Sequence, residues 1–142
     1  MKRAVSIGTL LSFVASQAMA VNCTDGAVKP SAANLTSLLQ GKSVCNASGP
    51  IQWNEKHDGA ASGNIVEYGM GENEVIGTYS IASEGPVGAE YGVVTYDYGN
   101  GFVYSYFAKR IKVLGGVYTL WFCTTHSNDG LDMIVKVQTG HC

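Results

Sequence analysis

The sequence predicts a mainly β protein: an antiparallel up-and-down meander of about eight strands, closed into a barrel or strongly curled, with one short N-terminal helix. Three observations carry this. Short β-branched and aromatic runs recur between tight turn signals from residue 42 onward. The stretch YGVVTYDYGNGFVYSYFAKRIK, residues 91–112, joins two such runs at Asn100-Gly101, the dipeptide best suited to a type I′ hairpin turn because both central residues need φ > 0. The chain also holds 18 glycines against 3 prolines, as hairpin turns and bent strands require.

Residues 1–20 stand apart. They have a basic start at Lys2 and Arg3, an apolar run from Leu10 to Ala15, and Ala18-Met19-Ala20 as a small-x-small cleavage signal. This is a secretory signal peptide of bacterial style, leaving residues 21–142 as a single disulfide-bonded β domain. The apolar run is shorter than the roughly 20 residues a membrane helix needs. Cys23 does not directly follow the cut, so the leader is not of the lipoprotein kind. The expected location is secreted or periplasmic, in soluble form. The formal charge of −2 becomes more negative once Lys2 and Arg3 leave, which gives no reason to expect nucleic acid or a membrane surface as partner.

After Pro30, the run SAANLTSLLQG reads as the helix. Ser31 can cap it, Leu35, Leu38 and Leu39 recur at i, i+3 and i+4, and Gly41 suits the position past its end. Strands follow at 42–45, 51–57, 64–68, 76–83, 91–98, 102–113, 117–123 and 131–139. The turns between them include Asp58-Gly59, the glycines at 69–71, Gly115-Gly116 and Asp129-Gly130. Asn22, Asn34 and Asn46 each open an N-glycosylation triplet, which in a bacterial protein is chance.

A two-residue loop at Asn100-Gly101 sets a register. It pairs Tyr98 with Val103, Tyr96 with Ser105 and Val94 with Phe107. Alternation then puts Val94, Tyr96, Tyr98, Val103, Ser105 and Phe107 on one face, which reads as core. Val93, Thr95, Asp97, Tyr104 and Tyr106 fall on the other. That second face suits either plain cross-strand aromatic pairing or a surface that meets a partner.

The cysteines Cys23, Cys45, Cys123 and Cys142 all follow the leader, and an even number in an exported chain reads as two disulfides. No Cys-x-x-Cys pair is present, against a zinc or thioredoxin-like site. Cys123 and Cys142 would lie at opposite ends of a terminal hairpin, which disfavours their pairing. The expected bridges are Cys45 to Cys123 and Cys23 to Cys142.

Chemistry is sparse. On strand 51–57, Trp53, Glu55 and His57 share a face by period two. A Glu-x-His pair can ligate a metal if His126 or His141 supplies a third group, or act as acid and base if burial shifts its pKa values. The plainer reading is that Glu55 and His57 are polar residues ending a strand beside the Asp58-Gly59 turn. The loop 124–130 contains Ser127, His126 and Asp129, yet three residues crowded into one turn do not make a braced triad. No Gly-x-Ser-x-Gly, Walker or dinucleotide motif occurs, so no cofactor, metal or catalytic residue is assigned and a binding role is favoured over an enzyme.

Several short motifs resemble one family. LLQGKSVC at 38–45, WNEKH at 53–57, GTYSI at 77–81, WFC at 121–123 and the terminal GHC at 140–142 look like short, uncharacterised exported bacterial proteins with a lipocalin-like β fold. Tyr79 stands where that family often has Trp, and residues 82–90 match no pattern of it. The resemblance implies a fold and transfers no functional residue. Two functions follow as expectations. One is an exported, non-catalytic protein taking a small apolar ligand, with Trp53, Glu55, His57, Tyr104 and Tyr106 as candidate binding residues. The other is a protein-interaction module, such as an inhibitor of a host or rival hydrolase, that meets its partner through the Tyr104 and Tyr106 face or the 124–130 loop. Either could be a monomer, or a dimer through an open sheet edge.

Overall fold

The computed structural model describes residues 21–47, 49–68, 73–125 and 131–142. The leader, the glycine turn at 69–71 and the loop residues His126, Ser127 and Asp129 lie outside the described residues. Among the described residues one helix, α1 (Ala32–Leu39), precedes eight strands: β1 (Ser43–Asn46), β2 (Asn54–His57), β3 (Ser62–Tyr68), β4 (Asn73–Glu84), β5 (Tyr91–Asp97), β6 (Val103–Leu114), β7 (Val117–Thr124) and β8 (Met133–Gln138). Each strand pairs antiparallel with the next. β1 then pairs with β8, Val44 opposite Val137, and the sheet closes into a barrel without open edges.

Ser31 caps α1 as its sequence position implies, its hydroxyl accepting from the Asn34 amide at 3.2 Å. Gly41 follows with φ +67° and donates its N–H to the His57 carbonyl, fastening the helix end to β2. Leu35 and Leu39 are fully buried in the barrel core with Val44, Ile65, Val94 and Leu120. The approach of α1 to β5 is close. A Cβ on Gly92 would sit 2.8 Å from the Ala32 Cα and 2.9 Å from the Ser31 carbonyl, so the helix can reach the sheet only over a glycine.

The β5–β6 hairpin departs from the expected register by one residue. The type I′ turn is present: Phe102 donates to the Gly99 carbonyl at 3.0 Å, and Asn100 and Gly101 have φ of +53° and +87°. Gly99, at φ +80°, is an additional residue on the β5 side, because the Tyr98 amide also bonds to Phe102. The loop thus consumes three residues. Tyr96 faces Tyr104 and Val94 faces Tyr106. A one-residue slip turns a strand inside out. Tyr104 and Tyr106 therefore join Val94, Tyr96 and Tyr98 on the inner face, while Val103, Ser105 and Phe107 point outward with Val93.

Val93 and Phe107 on that outer face are covered by residues of the 21–31 segment. Val93, Phe107 and Cys123 form a second, smaller cluster with Val21, Tyr91 and Trp121. The Lys29 ammonium lies over the Tyr91 and Phe107 rings. Lys109, almost fully buried, donates to the Cys23 and Asp25 carbonyls and pairs with the Asp25 carboxylate, which also binds Arg110. A disulfide from Cys23 to Cys123 locks the segment down.

The second bridge joins Cys45 to Cys142, with Cα atoms 6.5 Å apart. The expected pairing of Cys45 with Cys123 and Cys23 with Cys142 is thus incorrect. The cause is barrel closure. β8 inserts between β1 and β7, setting Cys45 and Cys123 two strand spacings apart, about 10 Å, which exceeds the roughly 7 Å reach of a disulfide. Each takes a partner from the chain end that crosses its own outer face. No helix among the described residues is long and apolar enough to cross a membrane.

Candidate ligand-binding cavity

The end of the barrel opposite α1 contains a cavity of about 410 Å³. Its wall comes from strand ends brought together by the closure. Tyr96 and Tyr98 arrive from β5, Tyr104 and Tyr106 from β6, and Phe122 from β7. Trp53, just before β2, stands on the opposite side with Glu55, while Val44, Leu131 and Met133 complete the lining. The rings pack on one another: Tyr106 stacks on Phe122 at 5.3 Å between centroids, and Tyr98 meets Tyr104 edge to face at 5.9 Å. The inward slip of β6 produces this wall. In the expected register Tyr104 and Tyr106 would have been outside.

Glu55 is the charged residue of the lining. It accepts a 2.6 Å hydrogen bond from the Tyr98 hydroxyl at Oε2. No protein donor among the described residues reaches its Oε1. Directly across the β2–β3 pair stands Glu67, a like charge. Burial raises the Glu55 pKa above the usual carboxylate value; the Tyr98 hydrogen bond opposes this rise and Glu67 adds to it. Burial, with Glu55 next to it, also pushes Tyr98 up, so its hydroxyl stays protonated and donates.

His57 points inward as period two implies, but it lies below the cavity and not in its lining. It is fully buried, edge-on to Tyr79 at 4.4 Å and to Tyr96 at 5.5 Å. Its Nε2 is 3.0 Å from the Tyr96 hydroxyl and its Nδ1 is 3.4 Å from the Lys42 carbonyl. A carbonyl only accepts, so the ring proton belongs on Nδ1 and Nε2 accepts from Tyr96. Burial lowers the imidazole pKa to about 4, leaving it neutral at neutral pH. Tyr79, in the place of an expected Trp, donates to the Ala60 carbonyl and accepts from the Gly59 amide, bracing the Asp58-Gly59 turn beside His57.

Both His57 nitrogens are thus occupied, and the Glu-x-His metal pair is not assembled. The His141 ring packs on Tyr68 at 4.1 Å. Among the described residues the one grouping with metal-ligand spacing is Cys23, Cys123 and Asp132, where both sulfurs belong to a disulfide. Thr124, at the start of the polar loop, donates its amide and hydroxyl to Asp132, an ordinary loop brace.

Of the residues singled out from sequence, Trp53, Glu55, Tyr104 and Tyr106 converge on one cavity, and His57 supports it through Tyr96. Tyr96, Tyr98, Phe122, Leu131 and Met133 also line it without having been marked. The signal for the tyrosines lay in Gly99-Asn100-Gly101: a glycine on each side of the Asn makes room for a three-residue loop, and with it the sets Tyr96-x-Tyr98 and Tyr104-x-Tyr106 fall on one face. No protein-family model, curated protein or solved structure matches the chain.

Proposed function

We propose that this chain is an exported, non-catalytic binding protein that takes a small, mostly apolar molecule into the open end of a lipocalin-like barrel. The observation that carries the reading is the aromatic cavity itself. Its volume of about 410 Å³ lies in the range typical of small-molecule sites, and apolar walls with few polar groups are what such sites use. Eight-stranded barrels are wide enough to hold one small ligand when side chains do not fill the interior. Here α1 and its leucines fill one half and leave the other open. The leader-like residues 1–20 and the two disulfides support export. The resemblance of the WNEKH and WFC motifs to exported lipocalin-like proteins supports the fold part of this reading.

Trp53 supplies the test. It lines the cavity yet is only partly buried, so Trp53→Ala removes wall without emptying the deep core. Titration with the neutral fluorophore N-phenyl-1-naphthylamine should give saturable binding to the parent protein and at least about tenfold weaker binding to the variant, at unchanged thermal stability. Equal affinity for both proteins would place the ligand elsewhere. Tyr104 and Tyr106, expected on an outer face available to a protein partner, are turned inward and favour the small-molecule reading.

A further inference from the structure

We infer that the ligand is a cationic amphiphile, a primary or secondary ammonium group on an apolar body, whose charge docks at Glu55 while its body lies against the tyrosine and tryptophan rings. The inference deepens the carrier reading and rests on it.

The geometry gives the cavity a sign. Glu55 lines the cavity; one of its carboxylate oxygens is held by Tyr98 at 2.6 Å and the other has no protein donor among the described residues. Its cross-strand neighbour is Glu67, and the ion pairs among the described residues, Lys109 and Arg110 with Asp25, lie on the outer wall. Among the described residues no basic side chain lines the cavity beside it. A partly buried carboxylate without a counter-charge is costly, and an incoming ammonium offsets that cost by forming a charge-assisted hydrogen bond.

The aromatic wall adds a second preference of the same sign. Faces of Trp and Tyr rings carry negative potential and attract cations. Trp53, Tyr98 and Tyr104 line the same cavity as Glu55, so an ammonium held at the carboxylate has aromatic rings nearby and its alkyl or aryl body has apolar wall to lie against. An anionic ligand, a fatty acid for example, would meet repulsion from Glu55 and Glu67. A neutral ligand would gain the apolar contact and leave the carboxylate uncompensated.

The decisive experiment is competition for N-phenyl-1-naphthylamine by two molecules of one shape, 4-phenylbutylamine and 4-phenyl-1-butanol, on the parent protein and on Glu55→Gln. The amine should compete at least about tenfold better than the alcohol on the parent protein, and that preference should vanish in Glu55→Gln. Thermal melts of both proteins confirm that the variant is folded. If the amine does not outcompete the alcohol, whether both displace the fluorophore or neither does, the ammonium inference is overturned and the carrier reading stands. An amine preference that survives in Glu55→Gln overturns the role of Glu55. If the fluorophore, the amine and the alcohol all fail to bind, the carrier reading falls as well.

Discussion

Tyr96 on β5 stands directly opposite Tyr104 on β6, and both rings turn into the barrel. This pairing depends on Gly99, which sits at φ +80° and gives the hairpin its third loop residue. Gly99→Ala forces a Cβ into the left-handed region and should cost about 1–2 kcal/mol, read from urea unfolding. No change in midpoint would mean that the loop is not held as described.

His57 makes the protein acid-sensitive. Burial lowers its folded pKa to about 4, below the ordinary 6.5 that applies when unfolded. Between those values the unfolded chain binds more protons, so stability contributed by neutral His57 is full above about pH 6.5 and is lost as pH falls towards 4. The loss approaches roughly 3 kcal/mol. Urea titrations of Glu55→Gln at pH 7, 5.5 and 4, in which the opposing titration of Glu55 is absent, measure it. A flat profile over that window would show that His57 is not desolvated.

Glu55 acts in the opposite direction. Its folded pKa is raised, so the stability that its protonated form contributes is present at low pH and lost as pH rises through the folded value. Glu55→Gln keeps an acceptor for the Tyr98 hydroxyl and removes the charge. The variant should melt higher than the parent at neutral pH, with the gap closing in acid. A variant less stable at neutral pH would indicate a cationic partner for Glu55 within the protein.

The two disulfides span sequence separations of 100 and 97 residues. In the chain-entropy model each is worth about 4–5 kcal/mol. Peptide mapping of the oxidised protein should recover Cys23 with Cys123 and Cys45 with Cys142. Replacing either pair by serine should lower the melting temperature sharply, and a Cys45–Cys123 peptide would contradict the strand order.

The strands were legible because glycine-rich turns punctuate β-branched and aromatic runs, and both features act locally. Period two is equally local: it places Trp53, Glu55 and His57 on one face of the chain whatever sheet they join. The helix was legible for the same reason, since Ser31, the leucine spacing and Gly41 are local signals. The register of β5 and β6 was not, because the dipeptide Asn100-Gly101 fixes the turn but not whether Gly99 belongs to the loop or to the ladder. Disulfide pairing was hidden for a different reason. It follows from β8 closing against β1, a contact between chain ends that the pattern of no single segment encodes. Tyr96 and Tyr98 read as core because apolar rings facing inward look alike whether they fill a core or wall a cavity.

The central claim, that a small molecule enters the open end of the barrel, is tested most directly by backbone amide NMR during titration with N-phenyl-1-naphthylamine. The account predicts shifts concentrated at Trp53, Glu55, Tyr98, Tyr104 and Met133, with the outer-face residues Val93, Ser105 and Phe107 unmoved. Shifts confined to those outer residues, or saturation of the probe with no shift at the cavity wall, would contradict it.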